Sequence, residues 1–242
     1  VTRGAPDDSN VLSTSAFYRL DDMAELAVRL GSPLTYRRSG NVLFQTTFEQ
    51  GLTPITIQTP FAGGTFGLVN TPSMSGGVVA SINYLAVAGS GGALGFVLPP
   101  VFSGRIGVSA AVRLGGNDDN IRINIISSRP DHRTQFMVRL YPQTDIGTYY
   151  DTGGVDTQFT DNLHFENETG LFFPIKLIVD LDTEEYVQLL IGGDVYEMAG
   201  LKARSIGVMA PYWLESDWGV ISDGTGVGVF LLDNVILTRN EV

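Results

Sequence analysis

The sequence predicts an all-β protein, a sandwich or a barrel, and three observations carry that prediction. Runs rich in β-branched and aromatic residues recur from Leu34 to the end of the chain. Gly- and Pro-rich breaks separate them: Gly63-Gly64, Gly76-Gly77, Gly89 to Gly92, Pro99-Pro100, Gly115-Gly116 and Gly153-Gly154. Only one short stretch has a helical period, so the elements belong to packed sheets. No fixed-period repeat is present, which argues against a propeller or a solenoid.

Phe172 to Glu197 organises the chain. Two β-rich runs, 172–182 and 185–191, flank the polar break Thr183-Glu184, and the turn Gly192-Gly193-Asp194 leads into Val195-Tyr196-Glu197. This is the pattern of a three-strand meander. Ile175, Leu177, Val179 and Leu181 share one face; Lys176, Ile178, Asp180 and Asp182 share the other. A period of two places the first set in a core and leaves the second at least partly wet.

Taken in order, residues 1 to about 16 have no periodicity and read as an arm, either ordered by a partner or simply a frayed terminus. Asp22 to Glu25 has capping-box character. Met23, Leu26, Ala27 and Leu30 follow at helical spacing, with Gly31 as the stop. One helix with a single apolar stripe does not fold alone, so it is expected to lie on the sandwich or on another subunit. Strands are expected at 34–37, 41–48, 55–58, 66–70, 78–84, 94–98, 105–114, 121–127, 135–141, 148–151, 155–159, 205–210 and 228–238. The stretch 210–219 is expected to be a loop. The division that follows is an arm with an amphipathic helix over 1–41 and a β-sandwich over 42–242.

Composition narrows the function classes. Cysteine is absent, which excludes disulfides, thiol catalysis and zinc–thiolate sites. A net charge of −11 repels phosphate backbones and anionic membranes, so neither nucleic acid nor membrane insertion is expected. No apolar run is long enough for a transmembrane helix. The sequence opens on Val1 with a polar start, which fits removal of an initiator or of a longer leader. Asn167-Glu168-Thr169 matches a glycosylation sequon, a short and weakly specific pattern.

Three stretches resemble the concanavalin A-like (laminin G-like) jelly-roll superfamily. Phe48-Glu49-Gln50-Gly51-Leu52 is similar to an opening strand of such modules. Phe66 to Val69, followed by Ser75-Gly76-Gly77 and Val78 to Ser81, resembles their step into a later strand. Asp233-Asn234-Val235-Ile236 resembles a closing strand. The resemblance covers about residues 42–238 and implies a jelly-roll β-sandwich. It implies no single function, because the superfamily holds glycan-binding modules, glycosidases and structural domains of virions and surfaces. The N-terminal extension ahead of the jelly roll faintly resembles accessory structural proteins of tailed phages.

Candidate chemistry is thin. A glycosidase needs two carboxylates across a cleft. The Glu-x-Asp-x-x-Glu pattern of the superfamily's glucanase branch is absent, and Asp180, Asp182, Glu184 and Glu185 run into a turn. Asp151-Thr152-Gly153 spells an aspartic-protease triplet in a single copy, and reads as an Asx-type turn. His132 and His164 lie in polar loops without a nucleophile motif. No enzyme, catalytic residue, metal or cofactor is expected. Calcium is the one ion with a candidate loop, 115–120, whose Asn and Asp residues suit a plain turn equally. Tyr212, Trp213 and Trp218 form the ligand candidate: flat aromatic faces beside acids suit a glycan, and equally suit packing or an interface.

The first expectation is therefore a non-enzymatic structural or assembly protein of a virion or extracellular surface. It would associate with itself or with a larger particle through Met23, Leu26, Ala27 and Leu30. The alternative is a carbohydrate-binding module with its platform at 212–218.

Overall fold

A computed structural model describes residues 41–70, 77–115, 119–165, 171–207 and 211–241. The described residues form two antiparallel eight-stranded sheets around one principal core. The strands in chain order are β1 (Asn41–Thr46), β2 (Ile57–Phe61), β3 (Thr65–Asn70), β4 (Val78–Tyr84), β5 (Gly91–Leu98) and β6 (Arg105–Leu114). Then come β7 (Asp119–Ser128), β8 (Arg133–Tyr141), β9 (Ile146–Tyr150), β10 (Asp156–Thr160) and β11 (Phe173–Asp180). The last are β12 (Glu185–Ile191), β13 (Asp194–Glu197), β14 (Arg204–Ile206), β15 (Leu214–Ser222) and β16 (Gly228–Arg239).

The first sheet runs β13-β12-β11-β6-β16-β4-β3, with β1 also on β16; the second runs β10-β9-β8-β7-β15-β5-β2, with β14 also on β8. The jelly-roll sandwich expected from the sequence is what the chain forms. The helix stripe Met23, Leu26, Ala27 and Leu30 lies outside the described residues, as do the strand expected at 34–37, the sequon and residues 116–118 of the calcium candidate loop.

The meander β11–β12–β13 forms as its alternation predicts. Ile175, Leu177, Val179 and Leu181 are buried in the core. Their opposite face departs from expectation, because Lys176 and Ile178 are buried too. Lys176 Nζ lies 2.7 Å from Glu241, whose carboxylate also takes the Thr238 hydroxyl. Gly107 makes room for this pair: a Cβ there would fall 2.7 Å from Glu241 Oε1 and 2.9 Å from Lys176 Cε. Ile178 packs with Leu190 and Val187. The turn Thr183-Glu184 is held by Asp180, whose Oδ1 accepts from the amides of Asp182 (2.9 Å) and Thr183 (3.1 Å).

Two motifs of the resemblance take unexpected local forms. Phe48 to Gly51 follows β1 as a turn rather than a strand, with Phe48 buried at φ 63°. Glu49 Oε1 accepts from the amides of Gly77 (2.8 Å) and Val78 (3.1 Å), pinning the start of β4. Asp233-Asn234 is a bulge in β16, where the register on β6 shifts and Asn234 takes φ 49°. The bulge lets both Leu232 and Val235 enter the core.

The largest correction concerns 210–219. Leu214 to Ser222 is β15, a central strand of the second sheet, paired with β5 on one side and β7 on the other. Three glycines explain how so polar a stretch becomes a central strand. A Cβ at Gly219 would lie 2.5 Å from the Gly92 carbonyl, and one at Gly95 would lie 2.3 Å from the Ser216 carbonyl. At Gly91, φ is 142° and a Cβ would meet the Val220 carbonyl at 2.0 Å. Without side chains at these positions, β5 and β15 approach closely.

Candidate functional site

Strand alternation sorts the second sheet into two faces. Ile121, Ile123 and Ile125 of β7, Phe136, Val138 and Leu140 of β8, and Leu214, Trp218 and Val220 of β15 enter the core. The residues between them point outward: Arg122 and Asn124 on β7, Arg133, Gln135 and Arg139 on β8, and Glu215 and Asp217 on β15. The registers of β9, β10 and β14 add Tyr150, Asp156 and Arg204, and that of β2 adds Phe61.

These side chains form polar clusters side by side on the face. Asn124 Nδ2 donates to Asp217 Oδ2 at 2.6 Å, and Gln135 Nε2 donates to Asn124 Oδ1 at 3.0 Å. Arg122 Nη2 lies 3.2 Å from Asp217 Oδ1. Further along the face, Arg139 pairs with Asp156, and its Nη2 donates to the Tyr150 hydroxyl at 3.0 Å. Asp217 is buried at the centre of the sheet, opposite Gly95, where a Cβ would fall 2.7 Å from its own Cβ. Burial pushes the Asp217 carboxyl above the ordinary aspartate value, against the pull of the Arg122 guanidinium and the Asn124 amide. Burial likewise raises Asp156, opposed by Arg139.

Three of the outward arginines lie over aromatic rings. Arg122 is 5.7 Å from the Phe61 centroid, Arg133 is 5.2 Å from Trp213, and Arg139 is 5.3 Å from Tyr150. Each ring restricts a long, flexible side chain, so the guanidinium groups are held in place before any ligand arrives. Arg204 lies along Gly154, where a Cβ would fall 2.6 Å from its Nε.

The aromatic set proposed from the sequence is split by β15. Trp213 joins the outward face, its Nε1 donating to Glu215 Oε2 at 3.0 Å. Trp218 is fully buried in the core, so it offers no ring to a ligand. The reason is parity: Trp213 immediately precedes β15 and Trp218 lies within it, an odd number of steps on, so the extended chain turns them to opposite faces. Tyr212 is exposed just before the strand. The outward network of Arg122, Asn124, Gln135 and Asp217, and the cluster of Arg139, Asp156 and Tyr150 beside it, were missed by reading the sequence. The available signal was the alternation Arg122-x-Asn124 within an isoleucine-rich strand, polar positions interleaved with core ones.

The other candidates have structural partners. Asp151 caps its own turn, its Oδ1 accepting from the amides of Gly153 (2.9 Å) and Val155 (3.0 Å). Those bonds, led by the Val155 amide, hold its carboxyl below the ordinary value. Asp182 accepts from the Gly104 amide at 2.9 Å, and Glu185 pairs with Lys202 at 2.9 Å. Glu184 takes His132 and the Thr134 hydroxyl. His164 Nδ1 lies 3.1 Å from Asp194. In the calcium candidate stretch, Asp119 and Asn120 already belong to β7.

This arrangement of sheets is the concanavalin A-like jelly roll. No family model matches the chain, and no curated protein matches it. Solved structures do match it. The endo-β-1,4-glucuronan lyase of Trichoderma reesei aligns with a TM-score of 0.57 at 10% identity, over 82% of this chain and 96% of that one. A carbohydrate esterase of the Shiga toxin-encoding bacteriophage phi24B aligns with a TM-score of 0.55 at 12% identity, over 84% and 100%. The cellulose-induced protein Cip1 aligns with a TM-score of 0.52 at 16% identity, over 82% and 98%. At these identities the likeness is one of fold.

Proposed function

We propose that this protein is a non-enzymatic carbohydrate-binding β-sandwich whose ligand lies on the outward face of the second sheet. One observation carries the reading: that face presents neighbouring clusters of Asn, Gln, Arg, Asp and Tyr groups with Trp213 at its edge. A sugar presents hydroxyls that both donate and accept, above flat apolar C–H faces. Amides, guanidinium groups and carboxylates meet the first need, and aromatic rings the second. The fold neighbours named for glucuronan and carbohydrate chemistry agree with this reading without assigning it. The charged groups of the face are engaged with one another, as suits a binding surface more than an acid–base pair.

The test is tryptophan emission during titration with a panel of soluble polysaccharides. Trp213 stands on the face and Trp218 in the core. Binding should therefore change the emission of the native protein and leave that of Trp213→Phe nearly constant. A panel that produces no binding by emission or calorimetry would end this reading.

A second reading is assembly into a virion or surface particle. The loops 85–90 and 223–227, the first tied by the Gly89 amide at 2.9 Å to the carbonyl of Ser222 where the second begins, favour it. They carry the exposed apolar side chains Leu85, Val87 and Val227 at one end of the sandwich. Light scattering of the full chain and of a version lacking 1–31 separates the cases. Assembly of the full chain alone would assign subunit contact to the segment holding Met23, Leu26, Ala27 and Leu30.

A further inference from the structure

The charge of the outward face is out of keeping with the rest of the chain. Arg122, Arg133, Arg139 and Arg204 stand there against Asp156, Glu215 and Asp217. Four of the chain's 15 basic residues thus meet three of its 26 acidic ones, and the remainder carries 11 basic against 23 acidic. A weakly basic surface has been kept on a strongly acidic protein. It lies on the face where strands with polar outward positions converge, and it is built entirely from arginine.

We propose that the ligand of this face is an anionic polysaccharide, held through its acidic groups by the arginines stacked on Phe61, Tyr150 and Trp213. This proposal rests on the carbohydrate-binding reading and specifies its ligand. Guanidinium groups present planar forks that match carboxylate or sulfate oxygens, and each terminal nitrogen carries two hydrogens, so one already engaged by Asp217, Asp156 or Tyr150 retains a second donor. Arg139 and Arg122 retain about a fifth of their side-chain surface, 23% and 20%, so each is reachable while fixed. Their Nε atoms are buried and donate to no acceptor among the described residues, so the terminal nitrogens are the donors left for a ligand. The acidic remainder of the surface repels such a polymer and confines it to this face.

The test is calorimetric titration with an oligogalacturonate, with the same oligosaccharide after reduction of its carboxyls to alcohols, and with dextran sulfate beside plain dextran. The acidic oligosaccharide is expected to bind about tenfold or more tighter than its reduced form, an advantage that shrinks as salt is raised. Arg139→Gln and Arg133→Gln should each lower that ratio while leaving the circular dichroism unchanged; Arg122→Lys provides a third variant that keeps a cation beside Asp217. Tight binding of dextran sulfate alone would uphold the proposal with sulfate as the acidic group, provided the same variants weaken it. Equal or tighter binding of the neutral forms would overturn the anionic ligand and leave the carbohydrate reading standing. Binding of none of the four would remove both, and acid-selective binding indifferent to all three variants would overturn the assigned site.

Discussion

β11 and β15 occupy equivalent places, each inside its sheet and each with one face in the core, yet their outward faces are opposites. On β11 the outward positions are closed: Lys176 is buried against Glu241, and Ile178 is buried against Leu190. On β15 they build a polar surface: the buried Asp217 anchors Asn124 and the half-buried Arg122 beside it, and Glu215 anchors Trp213 beside Arg133. The first strand contributes stability through both faces, while the second divides its faces between core and site. A sandwich can thus commit one sheet to closure and keep the other for recognition.

The largest effect expected on this division is in the core that both strands share. Trp218→Ala should cost about 3–5 kcal/mol, measured by denaturant unfolding, because the indole is fully buried. Trp213→Ala, on the outward face, should cost much less, and equal losses would erase the distinction between the two faces. Next comes the closed pair. Lys176→Met alone leaves the Glu241 carboxylate buried without its cation and should cost about 3–5 kcal/mol. The double change Lys176→Met with Glu241→Leu should recover most of that loss. Failure to recover would mean the pair does more than neutralise itself.

A smaller effect is expected from Asp217. Its carboxyl holds a proton more tightly folded than unfolded, owing to burial. The folded state therefore binds more protons, and this group's contribution to stability falls as pH rises from the ordinary aspartate value through the raised one. Asp217→Asn should flatten that part of the pH–stability curve, measured by unfolding at a series of pH values. An unchanged slope would show that Asp217 is not the group responsible. The smallest change is expected at Lys202→Ala, where a half-exposed pair with Glu185 should matter by under about 1 kcal/mol in the same assay.

The same two strands show how far the sequence could be read. β11 and β12 are legible because β-branched and aliphatic residues alternate with a period of two, and the meander they predict is the one that forms. β15 is illegible for physical reasons. Glu215, Ser216, Asp217, Gly219 and Ser222 are residues that turns favour, and here tertiary partners satisfy them: Arg122 and Asn124 for Asp217, and the glycine-lined approach of β5 for Gly219. The candidate site shared that fate, since it is assembled across β7, β8, β9, β10 and β15, and no local spacing records which of their outward residues meet. Trp213 was legible as a ligand candidate by its residue type. Trp218 was not separable from it until parity along a strand placed the two on opposite faces.

The outward face of the second sheet is the centre of this account, and hydrogen exchange in the presence and absence of an oligogalacturonate tests it most directly. Slowed exchange confined to backbone amides of β7, β8 and β15 is the predicted result. Slowing confined to the loops that carry Leu85, Val87 and Val227, or to β11 and β12, would contradict it.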